Sequence, residues 1–211
     1  MIAINPVITT NAAGTFSITL DGYIQGNAED DPAMRYQLTG GQLAITETLP
    51  MFGGVPIVET IPPLTNLAQR ALQNQITRAT AGYTAVPTLG MMTGISVFNQ
   101  NHAMVNSPQS PVPQADPGML VNLYRWGSNA RIPMAMDPAM APPGQVIFPV
   151  GPLYWDVANQ RITQTAAGNL LLPPTVKLIN YNIGNSMTVA YNAATGFCTW
   201  VRNGSCVLLQ I

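Results

Sequence analysis

The chain has 211 residues, enough for one large domain or two small ones with a buried core. Only 8% of the residues are charged and the formal net charge is −1, whereas about a quarter of a typical soluble domain is charged. The hydrophobic fraction of 47% argues against a disordered chain. Because no basic excess is present to neutralise phosphates, direct binding of nucleic acid is not expected. The surface must be uncharged and polar, or covered by another protein.

The residue types that remain are typical of a contact surface. Eleven residues are Met, which adapts to irregular partners, and arginine outnumbers lysine, which interfaces disfavour. The alternative is compositional drift without functional meaning. The basic residues are Arg35, Arg70, Arg78, Arg125, Arg131, Arg161, Arg202 and Lys177.

The first residues of the chain lack the basic and long apolar regions of a secretion signal. No apolar run approaches the roughly 18 residues that a membrane span needs. We therefore expect a protein made in a cytoplasm, with no membrane partner.

The N-terminal third predicts two strands and a helix. Residues 15–20 alternate apolar and polar side chains, and residues 42–46 follow a turn at Gly40-Gly41. Residues 64–78 carry apolar side chains at helical spacing after Pro62-Pro63, which predicts one helix of about four turns. We expect this helix to pack on a sheet rather than to act as a recognition helix.

Two proline-rich stretches, residues 104–118 and 133–144, cannot donate regular ladder hydrogen bonds and should be extended or looped. They are either surface loops or arms that lie along a neighbouring subunit. Proline-rich arms lose little conformational entropy on docking, which favours the second use.

The C-terminal half is dominated by β signals. Short alternating segments are separated by turns at Gly184-Asn185, at 192–196 and at Asn203-Gly204. The predicted strands are 119–126, 145–150, 153–157, 161–165, 175–181, 186–191, 197–202 and 205–211. The chain ends on an apolar strand, which must be paired in a sheet or covered by a partner.

These segments predict a mainly β fold, an antiparallel β-sandwich or small β-barrel, with one helix and long Pro-rich loops. The expected organisation has three parts. They are an N-terminal β arm or lobe at 1–60, a helix with a Pro-rich connecting segment at 61–118, and an antiparallel β-barrel or sandwich at 119–211.

The two cysteines flank one of the predicted turns. A two-residue turn at Asn203-Gly204 would place Cys198 and Cys206 on opposite faces of the hairpin, which disfavours a disulfide. A longer loop centred on Arg202 would instead pair them. We expect two reduced thiols, as suits a reducing compartment.

The sequence lacks the motifs of common catalytic and binding sites. His102, the single histidine, has no metal-binding spacing around it and is expected to be structural rather than catalytic. Glu29-Asp30-Asp31 is expected to be a solvated turn, although it could contribute to a Ca²⁺ site. Glycine-rich phosphate loops and a nucleophile elbow are absent. We predict no enzyme, and no catalytic, cofactor-binding or metal-binding residue.

Trp126, Trp155 and Trp200 all lie in predicted strands. They are expected to pack in a core between sheets, and an aromatic platform for sugars is the alternative.

Four stretches of the C-terminal half combine a strand, a Pro-Gly turn, a second strand with a short hairpin, and a closing strand: 118–126, 141–148, 153–163 and 207–211. In this order they resemble the capsid cement (decoration) proteins of tailed bacteriophages, over residues 115–211. The resemblance is one of pattern, and it leaves the first 60 residues and the helix uncovered.

The resemblance implies a structural virion protein that binds the outer surface of a phage head and stabilises capsomer junctions. Its partners would be the major capsid protein and further copies of itself, as a trimer or dimer. Its location would be the capsid surface of the virion, after synthesis in the bacterial host cytoplasm. Two alternatives stay open: another phage structural module, of the tail or baseplate, and a carbohydrate-binding β-sandwich that uses the tryptophans.

Overall fold

The computed structural model describes residues 22–29, 36–60, 74–79, 92–98, 112–141, 151–192 and 194–211. Over these ranges the protein is mainly β, as predicted, with a short 3-10 helix at Pro138–Met140. Five strands form a closed barrel, which confirms the small β-barrel among the expected architectures. The barrel strands are β1 (Thr39–Leu43), β2 (Pro56–Thr60), β3 (Gln75–Arg78), β4 (Gly94–Val97) and β5 (Leu120–Arg125).

The barrel strands follow the spatial order β1, β3, β2, β4, β5, and β5 pairs back onto β1. The β1–β3 pair is parallel and the other four pairs are antiparallel. The barrel uses segments from Thr39 to Arg125, earlier in the chain than the range 119–211 in which a barrel was expected. The division of the chain into three parts remains a prediction.

Two three-stranded sheets complete the described structure. One has the order β10–β11–β6 and the other the order β8–β7–β9. Their strands are β6 (Arg131–Ala135), β7 (Tyr154–Asp156), β8 (Arg161–Thr163), β9 (Leu170–Leu171), β10 (Lys177–Asn192) and β11 (Phe197–Gln210). β11 pairs with β6 through its last residues, and the Ile211 N–H donates to the Ala130 carbonyl at 3.0 Å. The apolar end of the sequence is therefore paired in a sheet, as expected.

A single hydrophobic cluster joins the barrel to both sheets. Leu43 and Leu123 of the barrel, Trp155 of β7, and Ile132 and Leu209 of the β10–β11–β6 sheet are all fully buried members of it. The three sheets therefore stabilise one another through one core.

The helix predicted over 64–78 is wrong at its C-terminal end. Gln75–Arg78 forms β3, and Ile76 is fully buried between the neighbouring strands β1 and β2. Four residues are too few to distinguish the alternating pattern of a strand from the spacing of a helix, so the pairing of this segment with β1 and β2 decides its structure. The rest of the predicted helix lies outside the described residues.

Two of the three turns predicted in the C-terminal half are also wrong. β10 runs through Gly184-Asn185 and β11 runs through Asn203-Gly204, so each strand covers what were expected to be two strands. The register shifts between Asn182 and Ser186, and Ser186 pairs with Gly204. The two segments that were predicted to be turns therefore lie at a bulge within one long ribbon, and neither reverses the direction of the chain. The turn predicted at 192–196 is confirmed as the ribbon's hairpin connection.

The arm interpretation is wrong for the described part of the second proline-rich stretch. Pro133 lies in β6, and Met134, Met136 and Met140 are buried in the core. In the first stretch, Val112 is fully buried. Residues 104–111 and 142–144 lie outside the described residues.

Of the other predicted strands, 119–126, 153–157 and 161–165 are confirmed as β5, β7 and β8. The strand predicted at 42–46 begins earlier, at Thr39, and includes Gly40 and Gly41. The strands predicted at 15–20 and 145–150 lie outside the described residues.

Candidate interaction surface

The two cysteines lie on the same strand, eight residues apart, and not on opposite strands of a hairpin. Cys198 pairs with Tyr191 and Cys206 pairs with Asn182. Neither cysteine is in a disulfide, as expected, although the reason is separation along β11 rather than opposite faces. Burial raises the pKa of Cys198 to about 11 and that of Cys206 to about 12. Both are therefore buried thiols of low reactivity.

The acidic residues do not form a metal site in the part of the chain that the structure describes. No group of three or more His, Cys, Asp or Glu side chains comes together there. Glu29 bridges to Arg131 through its backbone N–H, which donates to the Arg131 carbonyl at 2.8 Å. Asp30, Asp31 and His102 lie outside the described residues.

Asp156, singled out by no motif, caps the turn between β7 and β8. Burial alone would raise its pKa, but hydrogen bonds from the Asn159 side chain and from the Asn159 and Ala158 N–H groups lower it, with help from Arg161. The carboxylate is committed to this turn.

The tryptophans divide between core and surface. Trp155 is fully buried, so it cannot take part in a sugar platform. Trp200 is partly buried, with its ring edge-to-face to Phe98 at 5.6 Å between centroids. Trp126 is also partly buried, and its indole N–H donates to the Met92 carbonyl. Trp155 thus lies inside the core as expected, and Trp126 and Trp200 pack against the core from its edge.

Three of the five arginines in the described ranges, Arg78, Arg125 and Arg161, bind other residues of this chain through their side chains. Arg78 is 5% exposed and stacks on the Phe52 ring, with its guanidinium carbon 5.1 Å from the ring centroid. Its guanidinium donates to Gln160 Oε1 at 2.8 Å and to the Pro50 carbonyl. This residue ties the barrel to the β7–β8 turn, an internal role that the composition did not indicate.

The most distinctive surface is one face of the β10–β11 ribbon. Ala190 lies directly opposite Thr199, and Thr188 lies opposite Val201. Since side chains alternate along a strand, these residues share one face of the ribbon. Ala190 and Thr199 are exposed, and Val201 is 41% exposed. We call the set Thr188, Ala190, Asn192, Thr199 and Val201 the ribbon face.

The ribbon face is uncharged over a long stretch of sequence. Residues 178–201 contain no charged residue, and Lys177 and Arg202 bound them. Exposed strands normally carry charges, lysine above all, that discourage edge-to-edge association. The ribbon carries no such charge between Lys177 and Arg202.

The other face of the ribbon is anchored. Cys198 belongs to the core cluster, and Val189, Tyr191 and Trp200 pack against it. The edge of β10 is held by the segment at 22–25: the Met187 N–H donates to the Tyr23 carbonyl at 2.8 Å. Gln25, fully buried, accepts a hydrogen bond from the Val189 N–H at 2.9 Å. The ribbon face is therefore rigidly supported.

Sequence reasoning missed the role of Gln25. Its partner lies 164 residues away in sequence, and a lone glutamine before a glycine carries no local signal of burial. The sequence did predict the two strands that carry the ribbon face, 186–191 and 197–202, and the turn at 192–196 that joins them; it did not show which face of this hairpin is exposed.

In the described ranges, no helix is long and apolar enough to cross a membrane. The chain matches no protein-family model, no curated protein and no solved structure.

Proposed function

We propose that this protein is a structural, non-catalytic virion component of the cement type, which binds the outer surface of a phage head through the ribbon face. The major capsid protein at capsomer junctions would be the partner. The observation that carries the proposal is the ribbon face: an uncharged, largely exposed β surface whose opposite face packs on the core.

The side chains of the ribbon face are suited to being covered. Ala, Thr and Val lose little rotamer entropy when they are buried, unlike Lys, Arg and Glu. No ion has to be desolvated when such a surface meets another protein. The cost of binding is therefore small, and even weak contacts are useful.

A cement protein uses weak contacts many times over. Copies that also touch each other on a capsid lattice bind with an avidity far above the affinity of one contact. The rigid anchoring by Gln25 and the core reduces the ordering cost of each contact further. Low charge and rigid support thus both lower the free-energy cost of each contact.

The test is co-sedimentation of the purified protein with head shells that lack it. Thr199→Lys and Ala190→Lys place a charge on the ribbon face and should reduce binding at least tenfold, the effect expected for an uncompensated buried charge. Thr165→Lys and Ala167→Lys are matched controls on an exposed loop and should bind as the unmodified protein does.

Three results would contradict the proposal: no association with head shells, equal binding by ribbon and control variants, or association with isolated tails instead. The last result would support the tail or baseplate alternative. The carbohydrate alternative has lost one of its three tryptophans to the core, and no further contact favours it.

A further inference from the structure

Two large apolar side chains protrude from opposite ends of the barrel. Tyr36 is 93% exposed and Ile45 is 78% exposed, whereas the other exposed large hydrophobic residues of the described ranges are 41% exposed or less. Tyr36 precedes β1 and Ile45 follows it, so the length of the strand, about 17 Å for five residues, separates them. The barrel therefore exposes apolar surface at both ends.

Tyr36 lies at a solvent-open cleft of about 440 Å³, at the end of the barrel where β1 begins and β5 ends. Leu38, Arg125 and Trp126 also line this cleft. The Trp126 indole is held in place by its hydrogen bond to the Met92 carbonyl. Concave sites with aromatic and aliphatic walls bind apolar groups. This end of the barrel can therefore take up an apolar side chain, and we call it the Tyr36 cleft.

Ile45 is presented by a tight turn at the other end of the barrel. The Glu47 N–H donates to the Ala44 carbonyl at 3.0 Å and closes this turn, and Ala44 itself is buried. The neighbouring turn supports the side chain, because a Cβ added to Gly118 would lie 3.8 Å from Ile45 Cγ2. A branched aliphatic side chain on a hydrogen-bonded turn loses little conformational entropy when a partner covers it. Ile45 thus forms a rigid apolar knob.

The two ends of the barrel expose opposite charges. Asp116 is exposed in the turn beside Ile45, which the Met119 N–H closes by donating to the Asp116 carbonyl at 2.9 Å. At the cleft, the Arg125 side chain is 53% exposed, whereas its partner Glu59 is only 8% exposed. The knob end therefore presents a carboxylate and the cleft end a guanidinium. Such an arrangement favours contact between unlike ends of two copies over contact between like ends.

We propose that the Ile45 knob of one copy binds in the Tyr36 cleft of a second copy. Because the knob and the cleft lie at opposite ends of β1, a copy cannot fill its own cleft. A knob and a pocket on different parts of one molecule make a heterologous contact, which continues from copy to copy and closes into a ring when the rotation permits. This contact uses no residue of the ribbon face.

The contact is expected to be weak between free copies. One knob in one cleft covers less surface than a stable protein–protein interface does. Copies held side by side on a lattice reach a high effective concentration, at which a weak contact is occupied. Association should therefore be measured over a wide range of concentrations and also by a method that captures transient contacts.

Analytical ultracentrifugation of the full-length protein tests the association. The mean mass of the unmodified protein should rise with concentration. Ile45→Ser and Tyr36→Ala should each weaken association about tenfold or more, as for a side chain at the centre of an interface. Both side chains are mostly exposed, so neither change should disturb folding. Leu171→Ser, at another exposed apolar residue, should associate as the unmodified protein does. Mixed together, the first two variants should form a dimer that cannot grow, because one knob and one cleft remain.

Disulfide trapping identifies the surfaces in contact. Gln37→Cys places a thiol in the cleft and Thr46→Cys places one beside the knob, and both positions are exposed. Mixed under mild oxidation, these two variants should cross-link with each other more than with themselves. Adding Ile45→Ser to the Thr46→Cys variant should suppress the cross-link. Thr165→Cys, on an exposed loop, replaces Gln37→Cys in the control mixture and should not cross-link above background.

Three results would overturn the inference. They are an unmodified protein that stays monomeric at every concentration, association that survives both Ile45→Ser and Tyr36→Ala, and equal cross-linking by the Gln37→Cys and Thr165→Cys variants. None of these results bears on capsid binding, which is read through the ribbon face.

Discussion

Arg125 binds Glu59 across a strand that lies between them. The Arg125 Nε donates to Glu59 Oε2 at 2.8 Å and Nη2 donates to Oε1 at 2.7 Å, although β5 and β2 are both neighbours of β4 and not of each other. The Glu59 side chain is 8% exposed and that of Arg125 is 53% exposed. A further hydrogen bond from the Asn74 amide completes the carboxylate's environment. The ion pair therefore links β2 to β5 across β4, and Asn74, the residue before β3, binds the same carboxylate.

The bridge makes stability depend on acid pH. The hydrogen bond from Arg125 holds the pKa of Glu59 below its ordinary value of 4.5, against the opposing effect of burial. A lowered folded-state pKa stabilises the protein above the unfolded value, and this contribution is lost as the pH falls through the folded pKa. Because Arg125 is half exposed, we expect a loss of about 1 kcal/mol.

The measurement compares urea unfolding of the protein and of Glu59→Gln at pH 7 and at pH 3.5. Other carboxylates titrate in both proteins, so the difference between their pH slopes reports on Glu59. The variant should be the less stable at pH 7, and the gap should narrow at low pH. Parallel slopes would contradict this account.

Gly94 is required by close approach, and its replacement should damage the barrel. A Cβ there would meet the Tyr124 carbonyl and the Arg125 Cα, which are backbone atoms that cannot rotate away. Gly94→Ala should therefore cost more than about 3 kcal/mol, or abolish folding.

Gly168→Ala is the matched control for this substitution. Gly168 has a φ of +74° but nothing lies within 4 Å of an added Cβ, so only backbone strain of about 1 kcal/mol is expected. Equal losses in the two variants by thermal unfolding would show that steric contact at Gly94 is not the cause.

Local sequence patterns predicted where several strands lie, but not which strands pair with each other. The segments at 119–126, 153–157 and 161–165 alternate and end at turn residues, and each forms a strand. The barrel order depends on pairs that local sequence does not encode, such as the parallel pairing of Leu43 with Ile76. The sequence therefore predicted the class of the fold but not which strands pair to close the five-stranded barrel.

The turn predicted at Asn203-Gly204 is wrong because these residues lie inside the long β10–β11 ribbon. Asn203-Gly204 is a strong hairpin signal, and Asn203 does adopt a φ of 62°. Yet Gly204 pairs with Ser186, and a Cβ on Gly204 would meet the Thr188 side chain at 2.5 Å. The glycine permits close contact between strands rather than a reversal of the chain. A glycine in a turn and a glycine at a close contact between strands can be distinguished only when the partner strand is known.

Arg78 is buried without a salt bridge to an acid among the described contacts, and its replacement separates charge from packing. Its guanidinium is held by Gln160, the Pro50 carbonyl and the Phe52 ring, and burial lowers its pKa. Arg78→Ala removes both volume and hydrogen bonds and should cost about 3 kcal/mol. Arg78→Met restores much of the volume without a buried charge and should cost less than half as much.

Chemical denaturation of both Arg78 variants measures the difference, with Arg131→Ala as an exposed control expected within about 0.5 kcal/mol of the unmodified protein. If Arg78→Met were as damaging as Arg78→Ala, the hydrogen bonds to Gln160 and Pro50 would dominate over packing.

The buried thiols predict slow chemistry in the folded state and a loss of stability in alkali. Their pKa values of about 11 and about 12 lie above the ordinary value of 9.0, because burial disfavours the thiolate. A raised folded-state pKa leaves stability intact below pH 9 and lowers it as the pH rises through the folded values. At pH 8 the thiols of the native protein should therefore react with Ellman's reagent only as fast as the protein unfolds locally and exposes them.

In denaturant, two thiols per chain should react at once, with or without prior reduction. Cys198→Ala and Cys206→Ala each remove one of the two slow phases and assign them. Rapid labelling of either thiol in the native protein would contradict the burial of that residue in β11 and, for Cys198, the support it gives the ribbon face.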